Sequence, residues 1–408
     1  MQTLTVDLLL LLKLNTRDAA CISQTCKSMN ALITEMWCVL GIQPMQRRAH
    51  AILTQRGGTR WKTLKKLYIW SRGTPDDLLY QWTTFPIPLP CLEELVLWRT
   101  THPSVPWAEV IASLPSLHTL SVTTRLWGYR IENLDGLKNV ILAAVPVVKT
   151  LNINSEGLVV YPRKAPLGLG DDLFFHAVKA LYNISIPSSD TLRVYHNTGQ
   201  QFATVGVNAP LEELFLEEGE RGPEGLSNIG PRCNETLKRL HVKALETRLP
   251  HGVRQRFSQV ETMDLHIECR SQPQLVCDWL LREAPTTTQH LHIYLDVTLF
   301  LPDGYFQWDP NCLSSLPHLR TVQITLSHIC LGARSIFRCL RDTRVESFTV
   351  ETRWLHPLPD REWDEFYDED IHALRKERTT LLSTSNEIQC ARPDVSVRLL
   401  LGKVRSWS

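Results

Sequence analysis

The chain is 408 residues long and nearly neutral, with 44 Lys and Arg against 43 Asp and Glu and a formal net charge of +1. That balance excludes both a basic field suited to nucleic acid and an acidic chain too charged to collapse. With 43% hydrophobic and 21% charged residues, the composition is that of a globular protein, and the length alone suggests roughly two or three domains.

Residues 4–33 carry the first predicted elements. Leu4 to Leu14 is strongly apolar and helix-prone, with Thr5 as a possible cap. Asn15 to Asp18 reads as a turn, and Ile22, Cys26, Met29 and Ile33 then recur at helical spacing. Asp7 and Lys13 bracket the apolar run Leu8 to Leu12, so no secretory leader is expected. No run approaches the ~18 apolar residues of a membrane helix. Eleven cysteines, irregularly spaced, predict reduced thiols and hence a cytoplasmic or nuclear protein.

From residue 61 a single pattern takes over. Leu92-Glu93-Glu94-Leu95-Val96-Leu97-Trp98 places apolar residues at its first, fourth and sixth positions, the last two following the period of a strand. The pattern recurs from Leu64, Leu117, Val148, Leu211, Leu237, Val260, Leu319 and Val345, with weaker copies from Leu192 and Thr288. Outside the interval from Val148 to Leu211, successive copies begin 23 to 31 residues apart, against about 20 to 29 for leucine-rich repeats. One short strand cannot bury its apolar edge alone, so successive strands must stack. Pro106 to Ile111, Gln274 to Glu283 and Ala333 to Arg341 have the helical character of return segments. The turn-rich stretch from Tyr161 to Gly170, with Asp171 as a helix cap, reads as an insertion near residues 155–190.

These copies resemble leucine-rich repeats over residues 61–355. The family's Asn or Cys two places past the third core residue is replaced by Arg72, Thr100, Arg125, Glu156, Gly219 and Ser327, so no side-chain ladder is expected. The N-terminal segment resembles an F-box, through Leu4-Thr5-Val6-Asp7-Leu8-Leu9, Thr16-Arg17-Asp18-Ala19 and Ile22-Ser23-Gln24-Thr25-Cys26-Lys27-Ser28-Met29. Thr5, Thr16, Thr25 and Met29 stand where that motif has Pro, Pro, Val and Trp. The expected fold is therefore an α/β leucine-rich-repeat solenoid, a horseshoe of short parallel strands with return helices, after a small all-helical F-box-like domain. The expected domains are residues 1–40 (F-box-like), 41–60 (linker or first cap), 61–355 (repeats) and 356–408 (C-terminal cap or tail).

The resemblance implies the substrate-recognition subunit of an SCF-type cullin-RING ubiquitin ligase, in which Leu4, Leu8, Leu9, Leu12, Leu14, Ile22, Cys26 and Met29 pack on a Skp-type adaptor. The repeats would hold a target protein. The alternative is a repeat scaffold outside any ligase, with residues 4–38 as its cap. No enzyme, cofactor, nucleic-acid partner or membrane partner is expected. His266-Ile267-Glu268 lacks the Pro-Cys-x-x-Cys of zinc deaminases, and Gly168-Leu169-Gly170 lacks the Gly-Lys-Ser/Thr of a phosphate loop. His290 and His292 share a strand face, yet no paired Cys-x-x-C accompanies them or Cys269 and Cys277.

Residues between core positions point to the opposite, binding side of each strand. Tyr68, Trp70, Val96 and Trp98 are expected on adjacent rungs as an aromatic partner-binding patch, or as a surface covered by the N-terminal helices. Glu213 and Glu217 are expected opposite Arg239 and Lys243 as cross-strand ion pairs. Acidic Glu362 to Asp370, followed by Arg375 to Arg378, reads as a terminal cap, as a helix whose charges suit its dipole.

Overall fold

The computed structural model describes residues 39–42, 63–70, 89–98, 105–127, 130–131, 134–157, 182–197, 202–205, 207–217, 229–245, 247, 249–269, 273–297, 307–328, 333–340, 343–354 and 368–401. The chain divides into two compact units, residues 1–167 with 186–192 and residues 168–185 with 193–408. Both are α/β, and each is built on an open, parallel sheet whose strands lie in chain order.

In the first unit, β1 (Val39–Ile42), β2 (Lys66–Trp70), β3 (Glu94–Trp98), β4 (Thr119–Trp127) and β6 (Thr150–Gly157) are parallel neighbours, and the short β5 (Arg130–Ile131) pairs back antiparallel on the end of β4. Parallel neighbours need a crossover, and two are helices: α1 (Trp107–Ala112) before β4 and α2 (Leu134–Ala144) before β6. Trp107, Val110 and Ile111 of α1 are buried, as are Leu137, Val140, Ile141 and Ala144 of α2, the i, i+3, i+4 spacing of a helix with one core face. Pro106 occupies the position just before α1, where its missing N–H costs nothing.

The second unit repeats the plan. Two short strands, β7 (Tyr182–Ser185) and β9 (Phe202–Val205), form a separate parallel pair. The main sheet runs β8 (Val194–Asn197), β10 (Glu213–Glu217), β11 (Arg239–Leu245), β12 (Thr262–Cys269), β13 (His290–Val297), β14 (Thr321–His328), β15 (Ser347–Trp354), β16 (Ser396–Leu401). Its connections include α3 (Val253–Arg256), α4 (Pro273–Glu283), a 3-10 helix at Ala333–Leu340 and α5 (Asp368–Ala391).

All eleven copies of the apolar pattern are strands of these sheets. Their template positions supply the core: Leu64, Leu67 and Ile69, or Leu237, Leu240 and Met263, are wholly buried. The weak copy at Thr288 works because its hydroxyl, though buried, donates to Pro285 O at 2.8 Å. β12 alternates half-buried and buried residues along its length. A strand covered on both faces reads instead as a continuous apolar run, so this alternation marks β12 as a strand with one face in the core.

The backbone ties the repeats together. At the strand entrance, one carbonyl of each repeat accepts two N–H groups from the next: Lys65 O from Glu93 and Glu94, Glu93 O from His118 and Thr119, Lys238 O from Glu261 and Thr262, Arg320 O from Glu346 and Ser347, all at 2.8–3.1 Å. The same carbonyl position is doubly used at His118, Arg193, Glu212, Glu261 and Gln289. Any residue can supply that bond, which is why polar Lys, Glu, His, Arg and Gln occupy the position without a consensus.

Three elements differ from expectation. The segment Ala333 to Arg341 is helical but 3-10, ending at Leu340, with Ile336, Phe337 and Leu340 buried. Helix α5 continues to Ala391, so Arg375 to Arg378 fall in mid-helix and its last turn carries no basic residue. Asp368, Glu369 and Asp370 open the helix as expected, but the basic half of the dipole pairing is not at its C-terminal end. β16 adds a further parallel strand from within the segment expected to be cap or tail.

Candidate functional site

The outward faces of the two sheets, opposite the apolar template positions, differ between the units. In the first unit Lys66 Nζ lies 2.7 Å from Glu94 Oε2 and 4.9 Å from the centre of the Tyr68 ring. Burial lowers the Lys66 pKa, but the hydrogen bonds to Glu94 and Tyr68 outweigh it and leave the ammonium raised. Tyr68 stands directly opposite Val96, and Trp70 opposite Trp98. Tyr68, Val96 and Trp98 are half-buried. On its other flank Tyr68 faces Gly41 of β1, which has no side chain to cover it. Further along, Asn152 Nδ2 donates to Ser121 Oγ at 2.9 Å. The expected adaptor-binding residues Leu4, Leu8, Leu9, Leu12, Leu14, Ile22, Cys26 and Met29 lie outside the described residues.

The second unit concentrates titratable groups instead. His196, Phe215, His241, Asp264, His292, Gln323 and Thr349 occupy one row across seven strands, each opposite the next in register. Glu213, two residues before Phe215, reaches between the first two imidazoles, its Oε1 3.1 Å from His196 Nε2 and 3.3 Å from His241 Nε2. Its Oε2 lies 3.5 Å from Arg239 Nη1, the ion pair expected from the sequence. The row continues from His241 Nδ1 to Asp264 Oδ2 at 2.7 Å and from Asp264 Oδ1 to His292 Nδ1 at 3.6 Å. Phe215 packs 5.9 Å from each of the His196 and His241 rings, restricting both.

Asp264 is the electrostatic centre of the row. Burial pushes its carboxyl up, but hydrogen bonds from His241 and His292, together with their charges, hold it well below the usual carboxylate range. Beside it lies a shallow polar depression of about 170 Å³, lined by Thr262, Asp264, His290, His292, Thr321, Gln323, Ser347 and Thr349. His290 Nδ1 is 2.8 Å from Thr321 Oγ1. Thr262, Ser347 and Thr349 line the hollow from two strands, β12 and β15.

Asp264, His292 and Thr325 have the connectivity of an acid, base and nucleophile, with His292 Nε2 3.3 Å from Thr325 Oγ1. Thr325, however, is 1% exposed, and its hydroxyl does not line the depression. A scissile carbonyl could not reach it, so the arrangement suits recognition and cross-strand bonding better than acyl transfer. His290 and His292 lie on the outward face, whereas Cys269 is buried on the inward face of its strand and Cys277 is buried on α4, so these donors are kept apart. Among the described residues no group of three or more His, Cys, Asp or Glu is placed to hold a metal ion. No helix among them is long and apolar enough to cross a membrane.

Sequence reasoning put Glu213, His241, Asp264, His292, Gln323 and Thr349 on the outward side but did not single them out as a site, and it left His196 unplaced. Spacing gives the face; only the register shows that His196, His241, Asp264 and His292, from four different repeats, share one row, with Glu213 reaching into it. The detectable signal was the polar or imidazole residue at the fifth template position of the Leu237, Val260, Thr288, Leu319 and Val345 copies, namely His241, Asp264, His292, Gln323 and Thr349.

No protein-family model matches the sequence, and no curated protein matches it. The site is therefore read from this chain's own residues.

Proposed function

We propose that the chain is a leucine-rich-repeat receptor subunit of an SCF-type cullin-RING ubiquitin ligase: residues 4–29 dock on a Skp-type adaptor and the outward sheet face holds a target protein. The single observation behind the recognition half is the outward face of the sheets. Parallel strands in chain order carry polar and aromatic side chains opposite the core, from Tyr68 and Val96 to the His241–Asp264 row. Such a face supplies many adjustable contacts over several strands, which is what recognition of another protein uses. The docking half rests on the F-box-like residues of the N-terminal segment.

In this reading the protein performs no bond chemistry. Holding a target lysine beside a ubiquitin-charged enzyme converts an encounter into a near-unimolecular step, an effect worth up to several kcal/mol of barrier. The four departures from the F-box pattern favour one second reading, a repeat scaffold outside any ligase. A pull-down of purified Skp-type adaptor by the full chain and by its Leu8→Asp/Leu9→Asp variant separates the two. Saturable capture lost in the variant supports the receptor. Failure of the wild-type chain to capture the adaptor leaves the scaffold.

A further inference from the structure

The second unit's sheet ends at β16, and its edge is only partly closed. Ser396 N–H donates to Glu346 O at 2.8 Å, so Ser396, Arg398 and Leu400 direct their backbone groups at β15, and by alternation Val397, Leu399 and Leu401 direct theirs outward. The α5 side chain Gln389 takes up the start of that outer edge. Its Nε2 donates to Val395 O and its Oε1 accepts from Val397 N–H, both at 2.9 Å, the two bonds a neighbouring strand would make. Past that point no strand among the described residues pairs with β16. Val397 C=O, Leu399 N–H and C=O, and Leu401 N–H are left on the edge.

The core runs out at the same place. Phe348 and Val350 of β15 are wholly buried, while Val397 and Leu399, opposite them on β16, are only half-buried, and Leu400 on the outward face is 52% exposed. The missing neighbour is a strand with aliphatic residues at alternate positions facing the core and no charge opposite Arg398.

We propose that this neighbour is β16 of a second copy of the chain, paired antiparallel about a two-fold axis at Leu399. In that register Leu399 faces its own counterpart and Val397 faces Leu401, so the core sides of both sheets become continuous. Arg398 falls opposite Leu400, and the two arginines are kept apart, avoiding like charges face to face. Leu399 N–H and C=O bond reciprocally, Leu401 N–H meets the opposing Val397 C=O, and the opposing Leu401 C=O takes Val397 N–H over from Gln389 Oε1. The strand therefore contains every group its own edge lacks. A two-fold pairing of this kind is isologous and closes at the dimer, whereas an unmatched edge would recruit further strands without limit. A six-residue edge buries little area, so the dimer is weak and forms at the micromolar concentrations typical of small interfaces.

Sedimentation velocity of the full chain from 1 to 200 µM, on the order of the range in which weak interfaces populate, tests this with two variants. Leu399→Pro deletes the outward N–H and leaves the β15-facing groups intact, a change edge strands accept; Leu399→Ala trims the side chain but keeps the N–H. The expected result is reversible monomer–dimer behaviour in the wild type, weakened at least tenfold in Leu399→Pro and less in Leu399→Ala, with unchanged far-ultraviolet circular dichroism. A wild-type chain that stays monomeric throughout overturns the proposal. So does a dimer, or any larger assembly, that Leu399→Pro leaves intact.

Discussion

The two units share a core and differ in their faces. Leu67, Leu95 and Leu120 of the first and Leu214, Leu240 and Leu291 of the second fill equivalent positions at no more than 2% exposure. Opposite those cores, the first unit presents Tyr68, Val96, Ser121 and Asn152, while the second presents the His196–Glu213–His241–Asp264–His292 row. Burial sets the inward residues, because each strand must lose its apolar edge to the next. Nothing in the burial of the core demands imidazoles on the outward face, so core packing does not set that difference.

The largest expected effect would break the claim that the cores are equivalent. Leu95→Ala and Leu240→Ala each remove a wholly buried side chain, and each should cost about 2–5 kcal/mol, read as a lower urea midpoint. A cost confined to one unit would show that the other is not held together by the repeated template.

The faces should respond differently to acid. Asp264 is held ionised below its unfolded range by His241 and His292, against an unfolded value of about 3.9. Its contribution is therefore full above about pH 4 and is lost as the pH falls through the lower folded value. Asp264→Asn should cost about 1–2 kcal/mol at pH 7 and flatten the melting-temperature profile below pH 4. Equal acid dependence in wild type and variant would mean the row does not hold this carboxylate.

The smallest effect falls on the first face. Lys66 and Glu94 form an ion pair with side chains 30% and 25% exposed. Glu94→Gln should cost about 0–1 kcal/mol, less at 1 M salt. A larger loss would sharpen the comparison by making Lys66 and Tyr68 a tightly organised site.

The fold was legible where burial writes the sequence. The first, fourth and sixth apolar positions located eleven strands, including those begun by Thr288 and Leu192. The edges were not legible, for particular reasons. In β16, the place aligned with Val345 is Asp394, which pairs with Arg392 at 2.8 Å, and the apolar burial moves one residue on to Val395. β1 is only four residues, with Gly41 in the middle. α2 went unread because its apolar face, Leu137 to Ala144, merges with the following Val145 and Val148 into one apolar run. The outward row was hidden differently: its members are far apart in sequence, and a shift of one residue in any strand would scatter them.

The receptor reading is tested most directly by reconstitution. The purified full chain, mixed with Skp-type adaptor, cullin and RING subunit, should elute from a sizing column as one complex containing all four, and Leu8→Asp/Leu9→Asp should elute apart from the other three. A wild-type chain that elutes apart from an otherwise assembled ligase would contradict the reading and leave a repeat protein whose partners meet only its sheet face.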